Sequence, residues 1–347
     1  MVQATEKSER KENFIKRQLE NRIIFEGDSK KDKIIRVLKF LLLPGFRPRE
    51  LNNAEYEIGR IKSKRQFFRR FMTPLTILGL LCILFITWCA VFPWWASKYH
   101  ITFLTEYSAS SFDPAIFDWD PPMPGHPLGL AQGGWDVLAR SIWSSRYSLM
   151  VAFEAVFISF FIGIILGVIS AFAGGWIDNI LMRIVDIFIL FPSLLLAFLF
   201  ISIWGNEMQN IMLALGVSGI PAYARISRAS TLQEKSKLYV DAGRTAGASN
   251  FKLMFKHILP NAMSPLIVRV SFHLAVATLS VGGLAFLGFA VGNVPTWGFD
   301  IGLARRWMLS APHAMFWPGV WIFICALGFQ LLGDGLRDAL DPKLKVL

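Results

Sequence analysis

Three ionisable side chains, Glu154, Arg269 and His273, fall inside long apolar runs of this 347-residue sequence. A charge placed in hydrocarbon costs roughly 2.5–3.5 kcal/mol at the centre of a span, so residues of this kind mark ion or solute paths. Arg269 and His273 stand four apart and share one face of a helix. Glu154 lies about two turns from the end of its run and can reach an interface as well as a path. Arg183 and Asp186 stand three apart, a spacing that suits a pair along one helix; Asp186 with Arg269 is the other pairing at similar depth. Enzyme chemistry has no comparable signal. The chain holds no G-x-x-x-x-G-K-[ST] loop to cradle phosphates, no H-E-x-x-H and no G-x-S-x-G, and its five histidines are scattered. Cys82, Cys89 and Cys325 all fall in apolar runs, at a spacing that suits packing rather than metal or disulfide. Asp113, Asp118 and Asp120 lack a calcium-loop spacing and read as a solvated loop that touches a protein partner.

The elements that position these residues are membrane spans. The composition is 54% hydrophobic and only 18% charged, with 30 Phe and 12 Trp, well below the charge of a soluble domain. Six runs approach the length a bilayer needs: about 73–95, 147–173, 184–204, 210–224 (the shortest), 265–290 and 314–333. The net charge is +11, and 19 of the 36 Lys and Arg precede Met72, against 10 acids there. That imbalance fits the positive-inside rule and anionic lipid better than nucleic acid, which is not expected as a partner. Arg225 to Asn261 carries seven further Lys and Arg, whereas the loop from Ala96 to Ser145 is acidic. Both termini are therefore expected in the cytoplasm and the acidic loop outside. The chain reads as a basic tail over 1–71 with an amphipathic interfacial helix at Asp32–Phe46, a first span with its external loop over 72–145, and a core of five spans over 146–347. Gly163 and Gly167 form a G-x-x-x-G pair suited to close helix packing.

The segment between the fourth and fifth runs is too patterned for a plain loop. Leu238 to Ala246 predicts a short helix, and Gly247 allows a sharp turn. Ser249 is a good helix cap. Phe251, Met254, Phe255, Ile258 and Leu259 follow on one helical face, and Pro260 is expected to end that helix. The prediction is a helix–turn–helix with one face on the membrane and a free end for a partner.

Asp241-Ala242-Gly243, then Gly247, then Ile258-Leu259-Pro260 resemble the EAA loop of permeases of ATP-binding-cassette importers. Asp241 stands for the motif's Glu and Gly243 for its second Ala, and Ile258 stands one place nearer the Leu-Pro than the strict pattern. Gly125-His126-Pro127-Leu128-Gly129 with Gly134 to Arg140, Phe286-Leu287-Gly288-Phe289 with Pro295-Thr296-Trp297-Gly298, and Leu332 to Pro342 resemble, in order, three further motifs of the dipeptide/oligopeptide branch and its C-type subunit. The likeness runs over about residues 125–345. It implies an all-α membrane protein of six spans in the cell membrane. It implies one half of a heterodimeric pore for peptides or similar small solutes, with no cofactor. The implied partners are a B-type permease, two ATP-binding cassette subunits and an extracytoplasmic solute-binding protein, besides membrane lipid. Asp241, Ala242, Gly243, Gly247, Ile258, Leu259 and Pro260 would couple to the ATPase, and Glu154, Arg269 and His273 would lie on the path. An ion-coupled secondary transporter built on those three residues, and a scaffold that transports nothing, are the alternatives.

Overall fold

The computed structural model describes residues 67, 68, 70–96, 119–289 and 294–340. The expected amphipathic helix at Asp32–Phe46, most of the acidic loop and the final Asp341-Pro342 lie outside them. The chain divides into two compact units, 1–70 and 71–347, and the second carries the fold. Among the described residues it is all helical, with two isolated bridges and no strand.

Among the described residues four helices are long and apolar enough to cross a membrane: α1 (Pro74–Val91), α2 (Val137–Ala173), α7 (Asn250–Phe286) and α9 (Pro312–Leu340). Between α2 and α7 lie α3 (Gly175–Ile189), α4 (Ser193–Trp204), α5 (Met208–Lys235) and α6 (Leu238–Thr245), and α8 (Trp297–Ala304) precedes α9. The third run does not form the single straight helix expected. α3 and α4 meet at 90°, because Pro192 drives Phe191 out of the helical region. As one bent unit they bring the tally to five. The run at 210–224 is the first half of α5, a helix that continues to Lys235 through polar residues.

α2 starts at Val137, ten residues before its apolar run. The Asp136 carboxylate caps it, accepting the Ala139 amide at 2.7 Å. The polar first turns are tolerated because Ser141 and Ser145 donate back to the Val137 and Ser141 carbonyls. At 37 residues α2 is about 55 Å long, the central post of the bundle. One core joins α1, α2, α7, α8 and α9 through Ile86, Leu149, Leu274, Trp297 and Phe329. A second joins α2, α4, α5 and α7 through Val151, Ile201, Ile211 and Leu284. The α2–α5 contact is close because Gly167 has no side chain: a Cβ there would stand 2.4 Å from the Ala224 carbonyl oxygen. Cys89 and Cys325 are buried packing residues. The outward faces of α1 and α4 are apolar, with Leu75, Leu81, Leu195 and Ile203 exposed, as lipid contact requires.

Candidate functional site

At the end of the bundle where the cations of Arg225–Lys256 gather, α5, α6 and the start of α7 form the helix–turn–helix. Glu234 sets its first elbow. Its carboxylate accepts from Lys237 Nζ at 2.6 Å and from the Tyr239 hydroxyl at 3.0 Å. α6 buries Val240 completely and turns Leu238, 86% exposed, outward with Asp241 and Ala242. Gly243 of α6 faces the start of α7, where a Cβ would meet only the far end of the Leu253 side chain, Cδ2 at 2.8 Å. The helix then closes in a Schellman turn. Ala248 N–H reaches the Gly243 carbonyl and Gly247 N–H the Arg244 carbonyl, both at 3.0 Å. Gly247 has φ +79 with nothing near it, so its backbone conformation is what the turn requires. Ser249 caps α7 as expected, accepting the Lys252 amide at 3.3 Å.

Pro260 does not end that helix. Residues Leu253–Ile258 widen into a π turn, and the Leu259 amide bonds the Met254 carbonyl, five residues back. The wider turn relieves the clash of a proline ring with the preceding turn, so α7 runs on through Pro260. The same widening moves the buried face. Leu253 and Ile258, five apart, are fully buried, whereas Phe251 is 72% exposed; Met254, Phe255 and Leu259 are half-buried. Leu238 and Ala242, four apart on α6, form an open apolar ridge beside Asp241, and Phe251 is left open at the start of α7. A cavity of about 760 Å³ lined by Glu234, Tyr239, Asn261, Ser264 and Arg337 separates this elbow from α9, so α6 leans on the π turn instead.

The three expected path residues are not gathered at one point. His273 is 9% exposed, held between α5 and α7 with Nδ1 3.2 Å from the Tyr223 hydroxyl and its ring against Gly219. Arg269, one turn away, is half-buried, and its Nε has no hydrogen-bond partner. Glu154 is exposed on α2, on a face shared with Met150, Phe157 and Phe161. Asp186 pairs with neither Arg183 nor Arg269; Arg225 of α5 takes it at 2.6 Å.

Two charge clusters were not anticipated. At the end opposite α6, Arg140 of α2 grips Asp300 of α8 through Nε at 2.8 Å and a terminal nitrogen at 2.5 Å. Both side chains are buried, with the Trp135 ring 3.9 Å from the guanidinium. Burial pushes the Asp300 carboxyl up, and Arg140 opposes that shift. Trp297 Nε1 donates to the Ser141 carbonyl at 2.8 Å, so the motif that ends in Arg140 and the motif around Trp297 meet in space. His126 and Asp136 bond at 2.7 Å in the same cap. At the α6 end, Asp178 takes both Arg228 nitrogens at 2.6–2.7 Å.

A family model described as binding-protein-dependent transport system inner membrane component matches residues 163–346, which include the whole helix–turn–helix. The chain is 36% identical over 288 residues to the glutathione transport system permease protein GsiD of Pectobacterium atrosepticum, covering 81% of this chain and 91% of that one. It is 35% identical to the dipeptide transport system permease protein DppC of Alkalihalophilus pseudofirmus, covering 81% and 90%. To the di/tripeptide transport system permease protein DppC of Pseudomonas aeruginosa it is 38% identical, covering 77% and 88%.

Proposed function

The chain belongs to the inner-membrane components of binding-protein-dependent transport systems, and from that premise we propose that it takes up short peptides, glutathione-like tripeptides included, by a stroke delivered through α6. It is a permease subunit of an ATP-binding-cassette importer, and the ATPase is a separate subunit. The names of the three relatives, dipeptide, di/tripeptide and glutathione permeases, support the substrate class. The partners in this reading are a B-type permease that completes the pore, two ATP-binding cassette subunits and an external solute-binding protein. In this reading the chain crosses six times, counting α3–α4 and α5 once each, and both termini would lie in the cytoplasm with the basic end.

The observation that carries the reading is the ridge on α6. Leu238 and Ala242 stand open next to Asp241 on an element braced against the start of a span, where Phe251 is open as well. An open apolar ridge at a polar end fits a groove in another protein better than water. Asp241, Ala242 and Phe251 would meet the ATPase, while Gly243, Gly247, Ile258, Leu259 and Pro260 set the shape that presents them. The path would follow the open faces of α2 and α7, with Glu154 and Arg269 on it. His273, buried and bonded to Tyr223, would stand off that path. The buried place of His273 weighs against a proton relay through all three residues.

Gly247→Val forces a β-branched residue into a positive φ and should break the turn without touching a span. The expected result in the assembled complex is uptake reduced at least tenfold while ATP hydrolysis continues. Native uptake in that variant would refute the role of α6.

A further inference from the structure

The root of α6 is tied to a second span besides α7, through Lys235. This residue ends α5, three positions before α6 begins. Its ammonium donates to the Ala171 and Phe172 carbonyls at 3.0 and 2.8 Å. Those are carbonyls of the last turn of α2, where a helix has no amides of its own left to offer. Gly174, at φ +66, closes the helix and its amide satisfies only Ser170, at 3.0 Å. The Lys235 charge also stands 5.2 Å from the Phe172 ring centre and at the end of the helix that favours a cation. One side chain therefore completes the cap of α2 from the root of the coupling element.

The neighbours stiffen this joint. Asp178 at the start of α3 accepts from Ser170 of α2 and from both Arg228 nitrogens of α5. Glu234, beside Lys235, fixes Lys237 and Tyr239 at the elbow. The ends of α2 and α5, the start of α3 and the root of α6 are bonded into one block. We infer that Lys235 is a positioning residue for coupling: it makes the inner end of α2 move with α6, so that the stroke reaches the helix that carries Glu154. This rests on the reading of α6 given above.

The test uses the complete complex reconstituted in vesicles with its binding protein and a dipeptide, and reads uptake per ATP hydrolysed. Lys235→Met keeps the stem and removes the cap. The expectation is hydrolysis within about twofold of native and a coupling ratio lowered about tenfold, with at least half restored in Lys235→Arg. A native coupling ratio in Lys235→Met overturns the inference. Should that variant fail to assemble, Phe172→Cys with Lys235→Cys, in a background with the three native cysteines replaced by alanine, is joined by a short bismaleimide. The link should restore uptake over the unlinked form; uptake that stays low when linked overturns the inference equally. Native complex with no ATP-driven uptake would instead sink the α6 reading, so the two failures are distinct.

Discussion

Arg140 and Asp300 hold each other out of water from positions 160 residues apart. A buried ion pair contributes little over an apolar pair of the same shape, but removing one member strands the other, at about 3–5 kcal/mol. Asp300→Asn should therefore lower the thermal midpoint of the purified protein sharply, because Arg140 stays buried and charged. Arg140→Met with Asp300→Leu should lie closer to native than either single change; a double variant as unstable as the sum of the two would contradict this account. In the sequence, Arg140 was visible as the end of a motif and Trp297 as part of another. Nothing local linked them, because a contact across 160 positions leaves no periodicity. Asp186 shows the same limit. Its in-helix neighbour Arg183 was the natural partner by spacing, yet Arg225 on another helix takes it. Glu154, Arg269 and His273 were legible as unusual residues. That His273 is an interior residue braced by Tyr223 was not, since burial between two helices depends on how they pack.

Elements were easier to read where a cap or a period announced them. Ser249 and the start of α6 were found from type and spacing alone, and Gly247 sits in the turn that its lack of a side chain suggests. The errors came at prolines. Pro260 was expected to stop a helix, but a π turn before it absorbs the clash, and the buried face shifted from Phe251 to Leu253. Pro192 was passed over inside an apolar run and breaks it by 90°. Two changes test the packing of the elements. Gly167→Leu places a side chain where the Ala224 carbonyl oxygen lies 2.4 Å away; backbone cannot yield as a side chain can, so little assembled complex should be recovered on purification. Gly243→Ala meets only the far end of a leucine side chain, and it should assemble normally with uptake within about twofold of native. Loss of uptake in Gly243→Ala would mean that α6 and the π turn approach more rigidly than the contact implies.

On the scale of the whole molecule, the two ends of the bundle differ. One is a cap over α2 and α8 with the buried Arg140–Asp300 pair and aromatic rings. The other is basic and carries α6 with an open apolar ridge, and it is the end a motor subunit would need. Membrane character followed from composition, the spans from the length of the apolar runs, and the family from four ordered motifs. The division of the third run into α3 and α4 depended on how helices meet. The central claim is that α6 receives force from a separate ATPase and that this force drives peptide uptake. The most direct measurement is dipeptide uptake into vesicles holding the complete complex, with ATP supplied to the ATPase face and the binding protein on the other, for native protein and Gly247→Val in parallel. The account predicts uptake that requires both ATP and the binding protein in the native complex, and a fall of at least tenfold with continued hydrolysis in the variant. Equal uptake in the two, or native uptake driven by a proton gradient without ATP, would contradict it.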